Sequence, residues 1–158
     1  DIGLVAFPTN NKELTIIPFA TDELVVAMNP KHPLASKKSL KIEDLKGIDF
    51  IAFEKDIPTR KATDQILKKA DVEVSIVMEF DNVETVKRGL EINAGVAIIP
   101  KNTVANETAR NQLVTCRLDN STHLRPLSLI HKKSRMLTPA LRSFIEKMQN
   151  TKINDLEK

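Results

Sequence analysis

Residues 80–100, FDNVETVKRGLEINAGVAIIP, contain the two kinds of element that decide the fold of this chain. From Asn82 to Ala94, apolar side chains recur three and four positions apart, which is the period of an amphipathic helix. A short apolar run follows Gly95 and has the length of a buried strand. An apolar run, a helix and a second apolar run in this order are typical of a βαβ unit.

The same alternation recurs along the whole chain and predicts an α/β fold with a mostly parallel sheet. The predicted strands are 1–7, 14–17, 23–28, 49–53, 74–80, 96–99, 113–118 and 127–131. The predicted helices are 42–46, 59–70, 82–94, 102–111 and 139–149. The opening run is apolar on both faces, so it is expected to be a central parallel strand. The last helix should begin after the N-cap residue Thr138 and bury Leu141, Phe144, Ile145 and Met148.

The composition excludes several classes of protein. Apolar residues make up 41% of the 158 residues and charged residues 28%, which is typical of a folded soluble domain. The net charge of +3 is weak support for nucleic-acid binding. No apolar run approaches the ~18 residues of a membrane span. The single cysteine, Cys116, is interpreted as a buried thiol, and its lack of a disulfide partner fits a reducing, cytoplasmic compartment.

A polar pair follows the predicted strand 74–80, at a position where ligands bind in doubly wound sheets. Asp81 and Glu84 have capping-box spacing, so Asp81 is expected to cap the next helix. Asn82 would then lie on the first turn, where backbone N–H groups lack partners and the helix dipole is positive. Asn82 either faces a cleft or belongs to the cap, and the pattern leaves both open.

A second junction of this kind is FEKDIPTR at residues 53–60, where Thr59 and Arg60 lie at another predicted helix N-terminus. A hydroxyl, free N–H groups and a guanidinium together suit an anion. The alternative is that Thr59 only caps the helix and Arg60 faces solvent. Taken together, the two junctions predict a pocket for a small polar or anionic molecule.

The sequence contains no pattern typical of catalysis or of cofactor binding. The three histidines, His32, His123 and His131, lie in turn or strand contexts and form no Ser/His/Asp arrangement. No spacing of Cys and His typical of a metal site is present, and neither is GxGxxG or a P-loop. We therefore predict that the chain is not an enzyme and takes no metal and no cofactor.

The order of these segments resembles the effector-binding, or substrate-binding-like, domain of LysR-type transcriptional regulators over about residues 1–149. The most specific pieces are NPKHPLA at 29–35, NVETVKRGLEINAGVAIIP at 82–100 and TPALRSFIEKM at 138–148. Within the family, PTRKATDQIL at 58–67 and EFDNVETVKR at 79–88 are similar to the branch of cysteine-metabolism regulators.

The resemblance implies two Rossmann-like lobes of the periplasmic-binding-protein type, joined by a two-segment hinge, with an effector between them. The first lobe would consist of residues 1–21 and 121–149. The second lobe would be 22–120, and the tail would be 150–158. The hinge segments would lie near 18–22 and 118–125. The family pattern begins before Asp1, so the first lobe would be incomplete and the DNA-binding winged helix-turn-helix would be in a missing N-terminal part.

The resemblance also implies a function, with effector contacts at Phe7, Pro8, Pro58, Thr59, Arg60, Phe80, Asp81 and Asn82. The domain would sense a small, anionic effector and control DNA binding and transcription by the intact protein. A homo-oligomer, dimer or tetramer, is expected, and no membrane partner. The alternative is a solute-binding protein of a transport system, which shares the lobed architecture.

Overall fold

The computed structural model describes residues 2–118 and 123–150, and the chain divides into two compact units. Unit 1 consists of Asp1–Asp22 with Leu124–Lys158, and unit 2 of Glu23–His123. The predicted loop at 119–122 and the predicted tail after residue 150 lie outside the described residues.

Unit 1 is built on antiparallel strands. Strand β1 (Gly3–Ala6) pairs antiparallel with β8 (Leu124–Lys132), and β8 lies between β1 and β2 (Leu14–Met28). The prediction of a central parallel strand at the start of the chain is therefore wrong. Strand β1 is at the end of the strand order, and its Leu4 is exposed. An apolar run specifies a strand, but not the direction of its neighbour.

The last helix, α4 (Pro139–Asn150), confirms the predicted element and its cap. The hydroxyl of Thr138 accepts a hydrogen bond from the Leu141 backbone N–H at 3.4 Å. Of the four side chains predicted to be buried, only Ile145 is buried, and Phe144 is 41% exposed. Helical period identified the correct face, but the extent of its burial depends on what packs against it.

Unit 2 contains a mixed sheet. Its further strands are β3 (Ser39–Leu40), β4 (Asp49–Phe53), β5 (Ser75–Phe80), β6 (Ala97–Pro100) and β7 (Val114–Leu118). Strands β6 and β7 run antiparallel to β2, whereas β3 is parallel to β7 and β5 is parallel to β4. Phe50 of β4 also forms a parallel bridge with Val96, the residue immediately before β6. The sheet is mixed, and not mostly parallel as predicted, because β2 runs against both of its neighbours in this unit.

Helices connect these strands in the predicted order. Unit 2 contains α1 (Pro58–Lys69), α2 (Val83–Glu91) and α3 (Ala105–Ala109), and 3-10 turns at Pro33–Ser36, Ile42–Leu45 and Lys101–Val104. The single helix predicted at 102–111 is therefore a 3-10 turn followed by one short helix. The two strands predicted at 14–17 and 23–28 are parts of one continuous strand. Pro18 lies within this strand, and a proline interrupts a strand only where the hydrogen-bond ladder requires its missing N–H.

The core of unit 2 lies between α2 and the sheet. It contains Ala27, Ile51, Phe53, Val86, Leu90, Ala97, Ile99, Val104 and Leu113. At Gly95, just before β6, an added Cβ would lie 2.5 Å from the backbone oxygen of Asp49. Only glycine permits this approach, so the pairing of β4 with β6 depends on it.

We expect Gly95→Ala to destabilise the protein by roughly 3 kcal/mol, because the new methyl group must separate β4 from β6 and break their hydrogen bonds. Gly47→Ala is the matched control. Gly47 has a φ of +69° but no atom near an added Cβ, so only about 1–2 kcal/mol of backbone strain is expected. Urea unfolding measures both, and an equal or smaller cost for Gly95→Ala would contradict the packing described.

Candidate functional site

The N-terminus of α2 is capped by Asn82 and not, as predicted, by Asp81. The Asn82 side-chain oxygen accepts from the backbone N–H and the hydroxyl of Thr85, both at 3.0 Å. The Asn82 amide also donates to the Asp81 carboxylate at 2.7 Å. Asn82 has the extended backbone that a cap requires, so Asp81 lies one residue too early. Both side chains are exposed at the start of α2.

The N-terminus of α1 has a different construction. Its N-cap residue is Ile57, whose side chain makes no capping hydrogen bond, and Pro58 occupies the first helical position. Thr59 is therefore inside the first turn, and the alternative that it caps the helix is wrong. Thr59 is only 4% exposed. The first-turn N–H groups obtain no acceptor from the cap residue, and they remain available to another acceptor.

Arg60 is buried and bonded, so the alternative that it faces solvent is wrong. Its Nε donates to Asp64 at 2.8 Å, and its Nη1 donates to the Phe53 carbonyl at 2.6 Å and to the Glu79 carboxylate. Burial alone lowers the pKa of Arg60, but the hydrogen bonds to Glu79 and Asp64 raise it overall. The guanidinium thus joins α1 to the ends of β4 and β5, and its charge is matched by two carboxylates.

The two junctions lie at the same edge of unit 2. Strands β4 and β5 are neighbours and parallel, with Phe53 opposite Phe80, and the Glu54 N–H donates to the Phe80 carbonyl at 2.9 Å. Both helices begin within a few residues of these strand ends. The structure therefore brings the loop before Thr59 and the loop before α2 together, at the carboxyl ends of adjacent strands.

Phe7 and Pro8 belong to unit 1, where they follow β1. Phe7 has a φ of 50°, in the left-handed region that a bulky side chain rarely adopts. Its N–H donates to the Pro126 carbonyl at 2.9 Å, which extends the pairing of β1 with β8 by one residue. Strained backbone of this kind is concentrated at ligand sites and switches.

Two cations, the buried Lys87 and the half-buried Arg125, were missed by the sequence analysis. Lys87, on α2, forms ion pairs with Glu84 and Glu107 at 2.8 Å each. Arg125, near the start of β8, has a buried Nε. The spacing of Lys87 from Glu84 was a usable signal for an ion pair, but neither sequence position predicts burial. Cys116 is buried, as predicted, and burial raises the pKa of its thiol.

In residues 2–118 and 123–150, no helix is both long and apolar enough to cross a membrane. In the same part of the chain, no cluster of three or more His, Cys, Asp or Glu side chains has the geometry to hold a metal ion.

Comparison with known proteins identifies the family that shares this architecture. The family model described as the LysR substrate binding domain matches residues 1–152. The chain belongs to this family. Among curated relatives, the probable RuBisCO transcriptional regulator of Cyanophora paradoxa is 32% identical over 140 residues, which is 87% of this chain and 43% of that protein. The HTH-type transcriptional regulator CysL of Bacillus subtilis is 28% identical over 131 residues, which is 83% of this chain and 44% of CysL.

Solved structures of LysR-type regulatory domains share the fold. The CcmR regulatory domain of Synechocystis PCC6803 in complex with 2-PG has a TM-score of 0.87 and 25% identity, over 96% of this chain and 75% of that chain. The effector binding domain of QuiR in complex with shikimate has a TM-score of 0.82 and 19% identity, over 94% and 69%. The α/β fold class of the periplasmic-binding-protein type is confirmed.

These findings confirm the main functional prediction. The LysR substrate binding domain is the ligand-sensing part of a transcriptional regulator and is not an enzyme. The alternative of a transport solute-binding protein is not supported. The chain spans less than half the length of the two curated relatives, so it corresponds to one part of proteins of that kind.

We expect Arg60→Met to destabilise the protein by about 1–3 kcal/mol, because the variant loses a buried charged hydrogen bond to the Phe53 carbonyl. Arg88→Met is the control, since Arg88 pairs with Glu91 on the surface and such exposed pairs contribute little. Urea unfolding separates the two cases. Equal stability of the two variants would show that Arg60 does not hold the junctions together.

Proposed function

We propose that this LysR-family domain binds a small anionic effector at the N-termini of α1 and α2. The observation that carries the proposal is the position of these two helix ends at the carboxyl ends of the adjacent parallel strands β4 and β5. Ligands bind at such edges in α/β sheets, and helix N-termini present free N–H groups and positive dipoles to them.

The two helix ends favour different parts of a ligand. The first turn of α1 contains no acidic residue and no capping side chain, so it suits an acidic group. An aspartate precedes the cap of each helix, Asp56 at α1 and Asp81 at α2, but only α2 also has an acidic residue, Glu84, in its first turn. We infer that Thr59 and the α1 amides meet the most strongly acidic group, and that Asn82 meets the other polar group of the ligand.

The remaining predicted contacts have separate roles in this proposal. Pro58 and Phe80 flank the two junctions and would supply apolar contacts, and Asp81 would hold the Asn82 amide in place. Arg60 is proposed to position α1 and not to bind the effector through its charge, since two carboxylates already match that charge. The strained backbone of Phe7 supports a role for Phe7 and Pro8 in unit 1.

The comparisons support a small-molecule effector. The CcmR regulatory domain, at 25% identity, was solved with 2-PG. That molecule is therefore a rational first probe for this chain, together with inorganic phosphate and sulfate. We further propose that units 1 and 2 correspond to the two lobes of the family, and that the protein acts in the cytoplasm, where a regulator meets DNA. DNA contact would use a winged helix-turn-helix outside residues 1–158.

The effector site can be tested with two conservative substitutions. Thr59→Val removes a hydroxyl at constant size, and Asn82→Ser removes the amide but keeps a good N-cap residue. We expect each to weaken binding of 2-PG by roughly 5- to 10-fold, as measured by titration calorimetry, because each loses about one hydrogen bond. Ser75→Ala, at the opposite end of β5, is the control. Binding equal to wild type in both site variants would refute the site.

We also propose that the chain forms a homo-oligomer through the outer edge of β5. Among the described strands, β5 pairs only with β4. Its Ile76 and Val77 are 45% and 43% exposed, and SIVMEF contains neither the Pro nor the Lys that usually protects an edge strand. The proposed partner is a second copy of the chain, because a surface with both charges can be complementary to itself. The adjacent cavity of about 380 Å³ has such a lining, with the charged residues Asp64, Lys68, Asp71 and Glu73.

A charge on this edge should dissociate the oligomer. We expect Val77→Lys to raise the dimer dissociation constant at least tenfold in analytical ultracentrifugation, because a buried lysine in the interface must lose water. Ile92→Lys provides the control, since Ile92 is an exposed apolar residue of unit 2 outside this edge. A monomeric wild-type chain, or an unchanged constant in Val77→Lys, would contradict the proposed interface.

A further inference from the structure

Unit 1 contains a cavity of about 450 Å³ at the start of β2 and the end of β8. Its volume is in the range of about 300–1,000 Å³ that is typical of sites for small molecules. The residues that line it all belong to unit 1, so one compact unit forms the cavity alone. They are Asn10, Asn11, Lys12, Leu14, Ile16 and Lys133.

Backbone hydrogen bonds bring the two lysines of this cavity together. In the turn before β2, the Asn11 side-chain oxygen accepts from the Glu13 N–H at 2.9 Å, and the Asn11 carbonyl accepts from the Leu14 N–H at 3.1 Å. The Lys133 N–H donates to the Glu13 carbonyl at 2.8 Å, which joins the residue after β8 to this turn. Lys12 and Lys133 are distant in sequence, but they line the same cavity.

The charged groups of the cavity are all positive. Lys12 and Lys133 contribute two ammonium groups, and no aspartate or glutamate belongs to the lining. Neither lysine has an ion-pair partner in the part of the chain that the structure describes. A concave surface with charges of one sign concentrates its electrostatic potential, so an anion between the two lysines would be stabilised by both.

The rest of the lining is apolar or neutral. Leu14 and Ile16 are two positions apart on β2, so their side chains lie on the same face of the strand, and both are half-buried. Asn10 and Asn11 add side-chain amides, whose NH₂ groups are donors. An apolar surface beside two cations matches a molecule that has an acidic group at one end and a hydrocarbon part at the other.

We infer from this lining that the cavity binds a second small molecule, an anion with a phosphate or carboxylate group and an apolar part. The acidic group lies between Lys12 and Lys133, and the apolar part lies against Leu14 and Ile16. This site is independent of the effector site proposed at α1 and α2, because it contains only residues of unit 1. Its ligand would stabilise the contact between the turn before β2 and the end of β8, since it touches both.

The test uses the full chain and two probes, n-butyl phosphate and inorganic phosphate, which lacks the alkyl chain. In ¹H–¹³C methyl spectra, the Ile16 Cδ1 resonance is identified by its absence in Ile16→Val. We expect this resonance to shift when butyl phosphate is added. We also expect butyl phosphate to bind roughly 5- to 10-fold more tightly than inorganic phosphate, because its alkyl chain is partly removed from water.

Substitution of the lysines tests the anion contact. We expect Lys12→Met and Lys133→Met each to weaken butyl phosphate binding roughly 3- to 10-fold, because each loses one charged contact. Both lysines are exposed, so the variants should fold as the wild type does. Lys132→Met is the matched control, since Lys132 is an exposed cation at the end of β8 that does not line the cavity, and it should bind as the wild type does.

The inference is overturned if the Ile16 resonance stays in place at high butyl phosphate, or if both lysine variants bind it as the wild type does. Either result leaves the proposed function standing, because that rests on Thr59 and Asn82 of unit 2. Conversely, the proposed function fails and the site in unit 1 stands if Thr59→Val and Asn82→Ser bind 2-PG normally while butyl phosphate shifts the Ile16 resonance.

Discussion

The parallel pairing of β4 with β5 determines where both helix N-termini of unit 2 lie. Phe53 faces Phe80 across this pair, so the two loops that follow begin at the same level of the sheet. Gly95 holds β4 against β6, and the packing of α2 on Ile51 requires a second glycine, Gly89, where an added Cβ would be 2.8 Å from that side chain. The candidate site is thus a consequence of close packing in the sheet beneath it.

Two arginines show how differently the same side chain can be used. The Nε and Nη1 donors of Arg60 are bonded to Asp64, Glu79 and the Phe53 carbonyl, so Arg60 acts as a cross-link between α1 and two strands. Arg125 is half-buried, its Nε has no hydrogen-bond partner in the described part of the chain, and the charge of Asp22 acts to raise its pKa against the lowering effect of burial. Sequence context suggested Arg60 as the cation for an anion, whereas its hydrogen bonds to Asp64, Glu79 and the Phe53 carbonyl show that it serves the structure of unit 2.

The sequence predicted most of the elements and both junctions, because apolar period and helix-start residues are local signals. The strand at 49–53, the helix near 59–70 and the cap at Thr138 follow from such signals alone. The cap at Asn82 differs from the prediction by one residue, since only backbone conformation decides which of two adjacent polar residues takes that position. Strand direction at β1 and the burial of Arg60 depend on distant partners, which no single-sequence pattern contains.

The asymmetry between the two helix ends limits what the site can accept. At α2, Asp81 and Glu84 add negative charge near the dipole, although Lys87 pairs with Glu84 and reduces its effect. At α1, an aspartate also precedes the cap, but the first turn has no acid, and the carboxylates of Asp64 and Glu79 are bonded to Arg60. The proposed site would therefore bind a ligand in a single orientation, with its most strongly acidic group at α1 and its other polar group at α2.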